Sequence, residues 1–290
     1  MKIVAASCCK LQQVDRQPVW HEIMEESPDV LVLAGDNIYL DYNEYDDPGE
    51  LRAELQQRYQ AQLREAHYAA LMADLQSRGA PVLVTYDDHD FLGDNRYGGD
   101  HEPVLREAAR EELVRSFPIP RPGKDIYSVT HTGLVDIVIL DTRFYRLAPD
   151  RSSEDENAIL GPDQWNWLEK VLQRSTAKFL AVVSSSTYHD YGGECWEQYP
   201  LAFARMRLLL TGRTGAMIIS GDAHRNALYD DSGVMEIVTS GVSQKSMVFG
   251  TTRKNYGIFT FDEYKLHIDL RSLKAGSRFD VVVGLDNWQL

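Results

Sequence analysis

A layered α/β fold is predicted by two features of this chain. Short, unbroken aliphatic runs alternate with segments of helical period, and three of those runs end in acidic or histidine clusters. The runs are Val30-Leu31-Val32-Leu33-Ala34, Pro81-Val82-Leu83-Val84-Thr85 and Ala216-Met217-Ile218-Ile219. Aliphatic runs without polar alternation suit strands covered on both faces, although a buried helix shares that signature. The clusters that follow are Gly35-Asp36-Asn37-Ile38-Tyr39, Tyr86-Asp87-Asp88-His89-Asp90 and Ser220-Gly221-Asp222-Ala223-His224-Arg225. In an open sheet, residues distant in sequence meet beyond the carboxyl ends of the strands, so the three belong to one site.

In chain order, the pattern predicts strands near 2–7, 29–35, 81–86, 126–131, 134–140, 178–185, 215–220, 234–239, 256–261 and 264–271. Helices are predicted near 16–26, 50–78, 103–116, 162–173 and 200–211. Segment 50–78 reads as one long amphipathic helix stopped by Gly79. Pro162 suits a first helical turn, and Trp165 and Trp167 behind it read as core residues packed on a sheet. The stretches 42–49 and 150–157 are polar and acidic and read as solvated loops. With neither repeats nor an interdomain linker, residues 1–290 are read as a single domain.

Composition narrows the function. The hydrophobic fraction of 43% supports an ordinary folded core. Cys8, Cys9 and Cys195 make no disulfide framework, which points to a reducing cytoplasm. The start of the chain reads as a strand entering the fold, not a signal core, and no apolar run approaches the roughly 20 residues of a bilayer span. A soluble, cytoplasmic protein is expected. A net charge of −14 speaks against a stable nucleic-acid complex, while a metal-charged cleft can still accept a small anion. The oligomeric state is not legible.

The clusters carry metal chemistry. Asp36 is a hard anionic donor, and Tyr39 three residues on can return to the same ion as phenolate, a pairing that suggests ferric iron. Cys8 at the end of the first strand offers a thiolate. The bland alternative makes Tyr39 a packed ring and Cys8 a small buried residue. Asp87, Asp88 and Asp90 around His89 repel one another unless a cation or dense hydrogen bonding offsets them. Asp222 and His224 point the same way if the backbone is extended. Arg225 beside them is available for phosphate oxygens, and Arg143 either does the same or anchors a buried ion pair. Ser184, Ser185 and Ser186 lack the Gly-x-Ser-x-Gly setting of a nucleophile elbow.

Together with Ile139-Leu140-Asp141-Thr142-Arg143, the run from Ile159 through Gly161-Pro162-Asp163-Gln164-Trp165 to Leu168, and Glu194-Cys195-Trp196-Glu197-Gln198-Tyr199-Pro200, these clusters resemble the PhoD-like alkaline phosphatases, a branch of the calcineurin-like metallophosphoesterases. The resemblance spans most of the chain, and the order of the motifs is more specific than any one of them. It implies a four-layer α/β/β/α sandwich of two mixed sheets flanked by helices. It further implies a metal-dependent phosphoester hydrolase with an iron-type ion and a second, divalent one: Ca2+ first, with Mn2+, Mg2+ or Zn2+ as alternatives.

By motif position Cys8, Asp36, Tyr39 and His224 hold the iron-type ion, Asp36 bridges, and Asp88 and Asp222 serve the second ion, with Asp87 as an alternative because the doublet leaves the register open. Asp94-Asn95 departs slightly from the spacing of an Asn pair in many relatives, and Asn95 is the amide candidate. The histidine usual after the next strand has no clear counterpart in the run from Val183 to Tyr188, and His189 is the candidate in its place. The resulting expectation is a phosphomonoesterase with some phosphodiesterase activity on small esters. Two ions activate water for in-line attack, His89 protonates the departing alcohol, and Arg225 or Arg143 balances charge on the phosphoryl oxygens. A noncatalytic metal- or phosphate-binding member of the same fold is the alternative.

Overall fold

Strands whose two faces are both covered organise this chain, as their aliphatic sequences require. The computed structural model describes residues 1–13, 16–40, 44–117, 124–151, 154–191, 193–230, 233–243, 254–273 and 276–290. Its strands are β1 (Lys2–Ala6), β2 (Val30–Ala34), β3 (Val82–Thr85), β4 (Ser128–His131), β5 (Val135–Ile139), β6 (Phe179–Ser184), β7 (Ala216–Ser220), β8 (Asn226–Tyr229), β9 (Met235–Thr239), β10 (Asn255–Phe261), β11 (Lys265–Ser272) and β12 (Gly276–Gly284). Six α-helices accompany them among the described residues: α1 (Val19–Glu25), α2 (Pro48–Leu63), α3 (Ala66–Arg78), α4 (Pro103–Ser116), α5 (Gly161–Arg174) and α6 (Pro200–Leu210).

One sheet has the order β12-β11-β10-β1-β2-β3 and the other β4-β5-β6-β7-β9-β8. Both are mixed. In the first, β1, β2 and β3 run parallel, and β10 to β12 extend it antiparallel. In the second, β5, β6, β7 and β9 run parallel between the antiparallel edge strands β4 and β8.

Side chains alternate between two cores, as the period of a strand dictates. Along β1, Ile3 and Ala5 face the second sheet, where they meet Ile137, Val183 and Ile219. Val4 and Ala6 face the opposite way, onto Trp20 of α1, Leu55 of α2, Leu71 of α3 and Leu105 of α4. A third core joins the outer face of the second sheet to Trp165 and Leu168 of α5 and Met206 of α6. Helix, sheet, sheet and helix thus form four layers, the sandwich expected from the sequence.

Some boundaries differ. The helix expected over 50–78 is two helices broken at Arg64 and Glu65. Glu65 takes an extended conformation, and its carboxylate caps α3 by accepting from Tyr68 N at 2.8 Å. The other oxygen of Glu65 accepts from Gln17 N at 3.3 Å, so the break also ties down the approach to α1. Two strands escaped the sequence reading, β8 and β12, both at sheet edges; β8 opens on Asn226 and has no aliphatic run, and β12 has only the short run Val281-Val282-Val283 behind charged residues. The loops read at 42–49 and 150–157 are described only in part, because 42, 43, 152 and 153 lie outside the described residues. No helix among those described is long and apolar enough to cross a membrane.

Polar bonds stitch the sheets together near the carboxyl ends of their strands. Thr85 Oγ1 donates to Leu140 O at 2.8 Å, Thr239 Oγ1 to Ala5 O at 3.0 Å, and Ser7 Oγ to Thr239 O at 3.1 Å. The chains run so close here that glycine is required. A Cβ on Gly221 would lie 2.5 Å from Ala34 O, and one on Gly35 would lie 2.8 Å from the Cβ atoms of both Asp87 and Ser185. Gly221→Ala should therefore cost about 1–3 kcal/mol in urea unfolding, because backbone has to move. Gly193→Ala, whose methyl meets nothing within 4 Å, should stay within about 0.5 kcal/mol of the parent.

Candidate metal centre

Each donor sits where a strand hands over to its loop: Cys8 after β1, Asp36 and Tyr39 after β2, residues 87–90 after β3, and Asp222 and His224 after β7. The turns are tight. Cys8, Asp36, Asn95, Asp222 and His224 have φ of 61, 52, 54, 61 and 52°, and Ser27 is the remaining non-glycine described residue in that left-handed region. Such conformations cost roughly 1–3 kcal/mol each and persist where the surroundings over-determine them. Five at one place mark it as the site.

Asp36 is the common member. Its donor atoms lie within 4.8 Å of those of Cys8 and His224, again of Asp87 and Asp222, and again of Asp88 and His89. Tyr39 Oη donates to Asp36 Oδ2 at 2.9 Å and lies 3.3 Å from His224 Nε2. Cys8 Sγ is 3.5 Å from Asp36 Oδ2 and 3.0 Å from Ser240 Oγ. The structure thus gathers Cys8, Asp36, Tyr39 and His224 into a sulfur, oxygen and nitrogen set, with an all-carboxylate set beside it. Soft and borderline donors on one side and hard oxygens on the other suit two different cations.

Asp87 and Asp88 both reach Asp36, by different routes. Asp87 Oδ1 accepts from Arg143 Nε at 2.5 Å and Ser185 Oγ at 2.8 Å, while its Oδ2 is buried without a hydrogen bond. Asp88 accepts from the backbone of His89 at 2.9 Å and of Asn95 at 2.6 Å, and it lines the cavity above the site. Asn95 lines that cavity too.

Charge explains what the cluster requires. Burial, then Cys8 and the neighbouring carboxylates, push the Asp36 carboxyl well above its ordinary range. Burial and repulsion from Asp87 and Asp88 do the same to Asp222, and burial raises Asp87 against the pull of Arg143. Burial lifts the Cys8 thiol to about 11 and the Tyr39 phenol well above its usual value, and it lowers His224. Asp88 is the exception: burial opposes its ionisation, but His89, Arg143 and two backbone N–H groups bring it down to about 2. Asp36 Oδ1, like Asp87 Oδ2, is buried and unpartnered. Open carboxylate oxygens, mutual repulsion and a thiol among them fit bound cations, which would reverse these shifts.

The remaining candidates divide. His89 stacks on Tyr39 with centroids 4.1 Å apart, lines the cavity and directs Nε2 toward Asp94 Oδ1 at 3.5 Å. Arg225 lays its guanidinium over the Tyr191 ring at 4.4 Å, beside a cavity of about 160 Å³ whose wall includes Tyr191. Arg143 does not open on that cavity. It is fully buried, with Nε on Asp87 and Nη1 on Glu194, so of its two expected roles the geometry provides the ion pair. His189 does not join the donor groups: Nδ1 lies 2.8 Å from Glu236, and its ring stacks on Tyr229. The loop after β6 brings Ser185 and Ser186 to Asp87 instead.

Two organising residues were missed. Asp90 accepts from the backbone N–H groups of Asp36, Asn37 and Asp87 at 3.2, 2.9 and 2.6 Å, locking the β2 and β3 loops together. Glu236, fully buried in β9, accepts from Ser220 Oγ and from the backbone of Tyr188 and His189. Its signal was available, since a lone carboxylate inside the apolar strand at 234–239 has to find donors.

A two-sheet sandwich that converges thiol, phenol, imidazole and carboxylates at one end has the makings of a metal-dependent hydrolase. The sequence pattern of the PhoD-like phosphatases matches residues 3–270, and the chain belongs to that family. Among solved structures it superposes on PhoD with a TM-score of 0.75 and 18% identity, over 98% of this chain and 68% of PhoD. It also superposes on GAP50, the anchor in the inner membrane complex of Plasmodium, with a TM-score of 0.62 and 15% identity, over 98% of this chain and 88% of the other. At such identities the likeness is one of fold. No curated protein matches the chain in sequence.

Because the Cys8 thiol holds its proton up to about pH 11 in the metal-free protein, metal uptake near neutrality should release protons and weaken as pH falls. Loading a weakly buffered solution while recording pH checks this, and Cys8→Ser should release about one proton fewer.

Proposed function

We propose that this protein is a metal-dependent phosphoester hydrolase, a phosphomonoesterase first, with phosphodiesterase activity second. Membership of the PhoD-like family supports the reaction class, and the place of Asp36 in all three donor groups, with one oxygen unpaired, supports the dinuclear reading. Cys8, Tyr39, His224 and Asp36 would hold a ferric ion. Asp36, Asp222 and Asp87 or Asp88, with Asn95 nearby, would hold a divalent ion, Ca2+ before Mn2+, Mg2+ or Zn2+. When bound, the two ions supply the charge that polarises a phosphoester and acidifies water.

The chain's own residues do the rest. His89, clamped against Tyr39, is placed to give a proton to the departing alcohol oxygen. Arg225 offers its guanidinium to phosphoryl oxygens from the edge of the cavity. Arg143 fixes Asp87 and favours its ionised form against burial. No side chain is needed as a covalent nucleophile, because water attacks phosphorus in line.

Metal-replete protein should hydrolyse p-nitrophenyl phosphate faster than bis(p-nitrophenyl) phosphate. A preference of about tenfold or more for the diester would reverse that ranking, and phosphate binding with no turnover across pH would instead favour a noncatalytic member of the fold. Asp36→Asn should lower metal content at both positions and cut kcat by about a hundredfold or more. Full turnover in a folded, loaded variant rules out a bridging Asp36. Iron-loaded protein should absorb in the visible through the Tyr39 phenolate, and Tyr39→Phe should weaken that band.

A further inference from the structure

We infer that Asp94 selects substrates by the charge on their leaving alcohol, so that phosphoesters of amino alcohols are preferred over phosphoesters of hydroxy acids. The inference rests on the hydrolytic reading and extends it to the substrate class. Asp94 Oδ1 lies 3.5 Å from His89 Nε2. An alcohol oxygen that takes its proton from His89 has to come within hydrogen-bond reach of the imidazole. The atoms joined to that oxygen then stand against Asp94.

The other acids near this wall are engaged or belong to the donor groups, as Asp222 does with Asp36 and Asp87. Asp88 accepts from two backbone N–H groups, Asp90 from three, and Glu194 pairs with Arg143. His89 is the one ion-pair partner of Asp94 among the described residues. No lysine or arginine among the described residues lines the cavity. The basic groups nearby among the described residues serve elsewhere: Arg225, over Tyr191, is placed for the phosphoryl oxygens, Lys10 lies over Tyr39 at 4.9 Å, and Arg143 is buried on Asp87 and Glu194. The phosphoryl group's charge is met at the Asp36 centre, whereas a second anion on the alcohol meets Asp94 with only His89, whose proton passes to the alcohol, to offset it among the described residues. An ammonium at the same place is attracted.

The Asp94 side chain is 37% exposed, so solvent screens the effect, and a change of about tenfold in kcat/KM in each direction is expected. The test compares three esters of similar size, ethanolamine phosphate, propyl phosphate and phosphoglycolate, on metal-loaded wild type and Asp94→Asn. Wild type should rank them in that order, and the variant should compress the spread, with propyl phosphate as the internal reference for any general loss of rate. Calorimetric binding of the same esters should show the same ranking, and that measurement needs no turnover. A flat ranking in wild type, or a spread unchanged in Asp94→Asn, overturns the inference. Ranked binding without hydrolysis of any ester sustains it and overturns the hydrolytic reading alone.

Discussion

Carboxylates forced together out of water are the constraint around which the rest of this structure is arranged. Asp36, Asp87, Asp88, Asp90 and Asp222 come from three separate loops, and in water they would separate. The protein holds them with fixed dipoles and one guanidinium. Asp90 takes three backbone N–H groups, Asp88 takes two, and Asp87 takes Arg143. Asp36 and Asp222 are left with little compensation, and burial with neighbouring like charge pushes both carboxyls well above their ordinary range. This imbalance is what makes the cluster of acids a candidate cation site.

Satisfying that constraint divides the labour among the motifs. In the 87–90 cluster, the last aspartate builds the loops, the first holds the arginine, the second reaches the cavity and the histidine stands over it. The run at 220–225 divides similarly, with Ser220 on Glu236, Gly221 against the other sheet and Asp222 and His224 at the donors. Residue type alone does not separate these jobs, since ligand and scaffold are both aspartate. Distances and partners do.

Much of the fold was legible because burial on both faces leaves a plain mark: β1, β2, β3, β6 and β7 are uninterrupted aliphatic runs. The edge strand β8 carries no such mark and β12 only three valines, and a glutamate at a helix start is too unusual a cap for the break at Glu65 to be read from composition. That Cys8, Asp36, Tyr39, Asp222 and His224 converge was legible from strand ends and motif order. His189 was not, because a histidine near the expected place says nothing of its partner, and the buried Glu236 claims it. Arg143 stayed ambiguous for the same reason until Asp87 and Glu194 were seen on either side of it.

Backbone contact at Gly35 and Gly221 has a consequence for traffic. At Gly221 the backbone of one sheet meets Ala34 O of the other, and at Gly35 the Cβ of Ser185 reaches across from the second sheet, so no rotamer change can part the sheets at this end. Among the described residues, the cavity above the donors is walled by Asp94 and Asn95 on one loop and by Thr187, Tyr191, Gly193 and Glu194 on another. The sandwich beneath acts as a closed floor, not as a pair of jaws.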